Sequence, residues 1–562
     1  MAAKRRVGLE VHARLDPNLA GALRTKPALD RREDLLVGGR EPGHIVLAEE
    51  DKLARLHGGS RTHGLRLDGS GLTADDVVRV AREGAHVELA AEARIRMSAA
   101  RRVVERYLAE GLPAYGLTTG LGARVVESLP GDALAEFSRQ TVLGRADSVG
   151  APLPTELVRA ILLVRANQLA RGGSGARPEL AEALLALLGR AVHPVVPSIG
   201  SIGAGDICVL AHVALVLIGE GEAELGGDVM PGLQALEAAG LEPLELAPKD
   251  GLAAISSNAV SAACAAIALV DGRAALDAAQ AAAALSLEGF RASLTPLDER
   301  VVSARPAPGQ AECAAVLRSL VAGGTLASSG GRRLQDPLSF RCVSQVHGSL
   351  ATALALLAEA LEPELNGAGD NPLVDAESDE ILSTGNFFVP GLALAADAVA
   401  LALAQAAALA AARARRLLTA SLSDLPQNLA PTGSTGAGMA PLLKVADALV
   451  AEILHGAAPA TLASLWSPEG VEDAATGAPL ATLRLAGLLE RFRLLAAIEL
   501  VVAAHAVDLA AVAELGSGTR SVHAAVRELV EPFASERPLG ADVERLASAL
   551  ARVTRAATAS RE

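Results

Sequence analysis

The chain has 562 residues, 51% of them hydrophobic, and 65 acidic against 51 basic side chains give a formal net charge of −14. That is enough apolar material for a large buried core, and the acidic balance argues against a nucleic-acid backbone or an anionic membrane surface as partner. Aromatic residues make up only 2%, with Trp466, Tyr107 and Tyr115 the sole Trp and Tyr, so base-stacking platforms are implausible.

Residues 1–58 carry dense charge and turn signals such as GGREPG, with a short strand signal at Ile45-Val46-Leu47, and read as an N-terminal extension. The basic start is followed by no apolar run of signal-peptide type. After it, Thr73-Ala-Asp-Asp offers an N-cap, with Asp76 in the first turn, to the helical stretch VVRVAREGAHVEL. A second helix over about 92–111 leads into the Gly-rich loop AYGLTTGLG at 114–122. From about 132 to 300, helical signals alternate with Gly/Pro breaks such as RGGSGARP and HPVVPSIGSIGAGD. From 345 to 515, Ala/Leu-rich segments are apolar on nearly every face, which suits long central helices buried in a bundle. Leu392–Ala412 is long enough to cross a bilayer, but Asp397, Gln405 and its Ala-rich composition favour a buried helix. Beyond 515 the pattern becomes amphipathic. The expected class is mainly α, with few short strands (Asp375 to Leu382 among them), a helical domain over 59–515 and surface helices over 516–562.

Cys208, Cys264, Cys313 and Cys342 contain no C-x-x-C pair and read as buried reduced thiols, with no metal site expected. A cytoplasmic protein without membrane or nucleic-acid partners is expected.

Four places can carry chemistry. Tyr115 sits among Gly116, Thr118, Thr119, Gly120 and Gly122, where the backbone must be irregular, and it is either a base or a packing tyrosine. In residues 193–225 a Gly-rich turn enters an apolar helix, a shape that suits an anion, but the spacing matches no nucleotide motif and Asp206 can simply cap the helix. Arg341 lies in a stretch poor in charge and suits two-pronged binding of a carboxylate, or a buried ion pair. Lys444 is an isolated cation in an apolar helix and Glu472 opens a polar turn; solvated surface roles are the plain alternative for both.

Together these pieces resemble the histidine, phenylalanine and tyrosine ammonia-lyase family. AYGLTTGLG, RANQLARGGSGARPEL, GSIGAGDICVLAHVALVLIGEG, KDGLAAISSN, QDPLSFRCVSQVHG, GDNPLV, STGNFF and VED follow one another in that family's order over about 70–515. The resemblance implies a homotetramer whose active sites combine residues of several subunits, acting on a small-molecule substrate. It carries Tyr115, Gln335, Arg341, Asn386, Phe387 and Glu472 over unchanged, and it departs at Ser256, Leu338 and Arg145, where the family has asparagine, tyrosine and histidine. The family's methylidene-imidazolone is built from Ala-Ser-Gly, whereas this chain reads Gly203-Ala204-Gly205-Asp206, so no such cofactor is expected. The expected activity is then a cofactor-free carbon–nitrogen lyase acting on an amino acid or amino-acid betaine, as in the family member ergothionase, which removes trimethylamine from ergothioneine. Tyr115 would be the base, Arg341 the carboxylate clamp, and Lys444 with Glu472 the activators. Arg145 suggests a second anionic group on the substrate. The rivals are another cofactor-free reaction on the same fold (dehydration, isomerisation or cyclisation) and a catalytically inactive homologue.

Overall fold

The structure is a computed structural model that describes residues 64–329, 331–431, 433–462 and 472–559. The extension 1–58, with its strand signal at 45–47, lies outside the described residues.

The described chain opens with two short parallel strands, β1 (Leu65–Leu67) and β2 (Val87–Leu89), joined by helix α1 (Ala74–Glu83). Thr73 caps α1 as its sequence predicts: its hydroxyl accepts the Asp76 N–H while Asp76 accepts the Thr73 N–H, a reciprocal pair that satisfies two orphan donors. Helix α2 (Ala91–Glu110) ends at Gly111, whose φ of +63° turns the chain into the Tyr115 loop. Then follow α3 (Leu134–Leu143), α4 (Thr155–Ala170), α5 (Ile207–Leu217) and the short α6 (Asp250–Ile255). Between them lie strands that period-2 reading does not reveal. Val149–Pro152 pairs with Pro197–Ile199, and His193–Pro194, Glu222–Leu225 and Asp228–Pro231 form a three-stranded antiparallel sheet. At two to four residues, several with Pro, they are too short to show alternation. The hairpin Leu373–Asp375/Glu380–Leu382 falls where a strand is expected.

The bundle is built on α7 (Ala259–Phe290), α8 (Val343–Asn366), α9 (Pro390–Leu417), α10 (Ala440–Gly456) and α11 (Ala478–Ala510). Small residues let these helices approach closely. At Gly289 of α7 a Cβ would lie 3.0 Å from the Ala506 Cβ of α11, and at Gly272 it would collide with Leu354 of α8 at 2.5 Å. α7 and α9 are apolar enough to cross a membrane, but most of each apolar window is buried inside the fold; Ala440–Leu462 is also apolar enough, with only 22% buried. One buried polar cluster ties three helices together. Arg413 of α9 donates to both carboxylate oxygens of Glu499 on α11, at 2.6 and 2.9 Å, and Ser286 of α7 donates to the same carboxylate at 2.8 Å.

Contacts along these helices fix their directions. α7 and α11 both start beside residues 203–206, through Ser261 to Asp206 and Thr476 to Gly203, and meet again at Ser286 and Glu499. α8 runs the opposite way, with Phe340 just ahead of it stacked on Phe290 at 4.2 Å and Glu364 in its last turn bonded to Asn258. The bundle therefore has two ends. At 1.5 Å per residue, the 32 residues of α7 hold them about 46 Å apart.

The helix Ser517–Leu529 seats its start on α7, where Glu288 accepts from the Gly516 N–H and the Thr519 hydroxyl, each at 3.0 Å. All four cysteines are free. Cys264 and Cys313 are buried, whereas Cys208 and Cys342 are half-buried, because each lies at the start of a helix that meets a surface loop.

Candidate active site

The Tyr115 loop is irregular but tied down. The Thr118 hydroxyl donates to the Leu112 carbonyl and accepts the Ala114 N–H, both at 2.8 Å, and the Gly122 N–H donates to the Tyr115 hydroxyl at 3.0 Å. Gly116 has φ +64°, and a Cβ there would lie 2.5 Å from Leu252, so only glycine lets this loop pack on α6. Gly120 and Leu121 of the loop also border a recess of about 320 Å³ that contains Arg145. Among the described residues the Arg145 guanidinium makes one long bond, 3.3 Å to the Thr141 carbonyl.

Helix α6 ends at Ser256, which is buried, and the next residues knit the site together. The Ser257 carbonyl accepts the Asp206 N–H at 2.6 Å. Asp206, expected to cap the helix that follows it, instead serves α7: its carboxylate accepts the Ser261 N–H at 2.9 Å and the Ser201 hydroxyl at 2.9 Å. Burial raises its pKa, and those donors oppose the rise. Asn386 is exposed and donates to the Ala368 carbonyl at 3.3 Å, while Phe387 faces the position of Gly205, where a Cβ would lie 3.8 Å from its ring.

Sequence reasoning missed a cleft beside these residues. About 390 Å³ in volume, it is bordered by Gln168, Asn258, Glu364, Gly369, Asn386 and Phe388. Gln168 donates at 2.8 Å to the Asn258 side-chain oxygen, and Asn258 donates to the Glu364 carboxylate. Burial pushes Glu364 up to about 7 against the pull of that amide. An acid in the last turn of an apolar helix reads as solvated, so the sequence carries no signal for it.

The other candidates stand at the far end of the bundle. The Arg341 guanidinium donates to Gln335, which is its one hydrogen-bond partner among the described residues, and its Nε is buried without an acceptor. The buried ion pair expected as its alternative role is not formed among the described residues, where the buried Glu499 pairs with Arg413. Leu338 is 62% exposed. Lys444 is exposed on the second turn of α10, three residues before Asp447, which pairs with Arg415 near the end of α9. Glu472 is exposed at the near end, four residues before Thr476, whose hydroxyl donates to the Gly203 carbonyl at 2.8 Å. One chain thus gathers Tyr115, Arg145, Ser256, Asn386, Phe387 and Glu472 at one end. Gln335, Leu338, Arg341 and Lys444 stand at the other.

Comparison with known proteins defines the class. Residues 72–528 match the family described as aromatic amino acid lyase, and the chain belongs to that family. It is 40% identical over 492 residues to the histidine ammonia-lyase of Anaeromyxobacter dehalogenans, covering 85% of this chain and 97% of that one. Among solved structures, ergothionase from Treponema denticola, in complex with desmethyl-ergothioneine sulfonic acid, superposes with a TM-score of 0.82 at 31% identity, covering 87% of this chain and 99% of that one. Tyrosine aminomutase from Streptomyces globisporus gives 0.83 at 31% identity, covering 88% and 98%. The mainly α class and the bundle expected from the sequence are those of these relatives.

The comparisons correct the cofactor expectation. Relatives 36–40% identical over most of the chain are histidine ammonia-lyases, which points to an enzyme of the cofactor-bearing type rather than one that works without. The expectation rested on one position, whereas the likeness extends over 85% of the chain. The segment itself reads Gly203-Ala204-Gly205-Asp206. A Cβ at Gly205 would meet ordinary contacts with Ile207 and Phe387, but the glycine supplies no carbon for an alkene, so no step below is routed through that group.

Proposed function

We propose that the chain catalyses elimination of the α-nitrogen from an amino acid or an amino-acid betaine. Tyr115 takes the β-proton, the C–H electrons form the double bond, and the nitrogen leaves with the Cα–N pair as a neutral amine. The Gly122 N–H fixes the Tyr115 oxygen while leaving it a lone pair for the proton. Arg341 clamps the substrate carboxylate, and Arg145 meets a second anionic group. Because Tyr115 and Arg341 stand at opposite ends of one bundle, each site takes its clamp from another copy in a cytoplasmic homotetramer. Lys444 would arrive with that clamp and face Glu472 there.

The observation that carries this reading is the Arg341 guanidinium, half-buried, steadied by Gln335 and paired with no acid among the described residues. Such an arginine is arranged for an anion from outside the chain. A screen of amino acids and their betaines for released ammonia or trimethylamine tests the reaction. Arg341→Lys, which keeps the charge and loses the fork, should raise KM about tenfold or more. Turnover unaffected by that change would rule the clamp out. The likeness to an aminomutase favours a second reading, isomerisation in which the amine is returned to the β-carbon, and a β-amino acid product would identify it.

A further inference from the structure

The cleft beside the site has a chemical bias of its own. Among the described residues that line it there is no Lys, Arg or His, and Glu364 is the charged one. Glu364 lies in the last turn of α8, where the helix presents the carbonyl-rich, negative end of its dipole. The surrounding amides hold that carboxylate in place rather than neutralise it. Arg165 pairs with Asp370 at 2.8 Å and donates to Gln168, Gln168 donates to Asn258 and to the Glu364 carbonyl, and Asn258 donates to the carboxylate. The Arg165 charge is thus spent on Asp370, and only neutral amides reach Glu364. Asn386 and Phe388, on the cleft wall, flank Phe387, which faces Gly205. A small group in the cleft therefore lies beside Phe387 and the 203–206 turn.

We infer that this cleft is the subsite for the substrate's cationic nitrogen, ammonium or quaternary ammonium, and that Glu364 selects for it. The inference deepens the proposed elimination and rests on it. A carboxylate at a helix C-terminus, with carbonyls around it and no competing cation, suits a positive group of a few heavy atoms. Burial has already pushed the Glu364 pKa to about 7, so near neutrality a bound cation displaces a proton, and above that pH it finds a charged, poorly hydrated partner and gains more than it would at the surface. The electrostatics also fix the kinetic signature. The nitrogen loses its positive charge as the Cα–N bond breaks, so Glu364 favours the bound substrate over the transition state. It is a specificity residue, felt in KM.

The test has two arms. In the first, thermal melting of the whole protein is followed with ammonium chloride or tetramethylammonium chloride against sodium chloride at equal ionic strength. The parent should be stabilised by at least one of the two, with ammonium pointing to an amino acid and tetramethylammonium to a betaine. Glu364→Gln should lose that response, and Glu362→Gln, on the exposed face of the same turn, should keep it. Glu364→Asp, which keeps the charge, should retain a weaker response and covers the case of a Gln variant that fails to fold. In the second arm, Glu364→Gln should raise KM about tenfold or more, with kcat unchanged or higher. An equal cation response in parent and Glu364→Gln, or an unchanged KM, would overturn the subsite. The first arm needs no turnover, so a parent that eliminates nothing sinks the reaction and leaves the subsite to be judged by cation binding alone.

Discussion

Two inactive variants should make an active enzyme. Tyr115→Phe removes the proposed base at one end of the bundle, and Arg341→Ala removes the proposed clamp at the other, the ends being held about 46 Å apart by the length of α7. No substrate of amino-acid size spans that distance, so a working site must take Tyr115 from one copy and Arg341 from another. In a tetramer mixed at random from equal amounts of the two variants, a given site draws an intact Tyr115 half the time and an intact Arg341 half the time. About a quarter of the sites are then whole, and activity should recover to roughly 25% of the parent from two near-zero stocks. The assay is co-expression or co-refolding of differently tagged variants, purification through both tags, and a steady-state rate per site. If doubly tagged tetramers form and stay as inactive as their parents, Tyr115 and Arg341 do not serve one site and the clamp assignment fails.

Tyr115→Phe alone should lower kcat by about two to four decades with little change in KM. It should cost only about 1 kcal/mol of stability, the hydroxyl's bond to the Gly122 N–H, so a melting curve far below the parent's would mark Tyr115 as a packing residue. Arg413→Met strands the buried Glu499 carboxylate and should cost about 3–5 kcal/mol in urea unfolding at fixed protein concentration. Adding Glu499→Leu should recover most of that loss; a single variant as stable as the parent would mean Glu499 is already neutral. Lys249 is buried with its amine unpartnered, and burial lowers its pKa to about 8. Between about pH 8 and 10.5 the unfolded chain holds the proton that the folded one has lost, so the parent should gain stability as pH rises through that window, by roughly 2–3 kcal/mol. Melting of Lys249→Met over the same range should show no such slope, and an identical slope would place the titration elsewhere.

What was legible in the sequence follows from what each feature demands. Helices apolar on nearly every face, as α7 and α9 are, stay in water only at a cost, so the bundle was readable from composition along the chain, although α10 in the same stretch is mostly exposed. The Tyr115 loop was readable because Gly116 and its neighbours permit backbone that nothing else does. The order of the motifs, however, says nothing of which end of a helix each occupies. QDPLSFR and AYGLTTGLG look like parts of one site, yet α7 keeps them apart within a chain. Asp206 shows the same limit: local spacing offered it as a cap, and it does stand at the start of its own helix, but the donor its carboxylate serves, the Ser261 N–H, is 55 residues away. Glu364 gave no signal because its meaning lies in a contact with Asn258 across 106 residues.

The length of α7 acts as a ruler. If both of its ends must present groups to neighbouring copies, a single inserted residue would push one end outward by about 1.5 Å and turn it by about 100°. The contact between Ser261 and Asp206 at one end and the stack of Phe290 on Phe340 at the other could not both survive. Changes of length should therefore be tolerated in the loops between helices and purged from α7 and the long helices packed against it, whatever happens to their individual side chains.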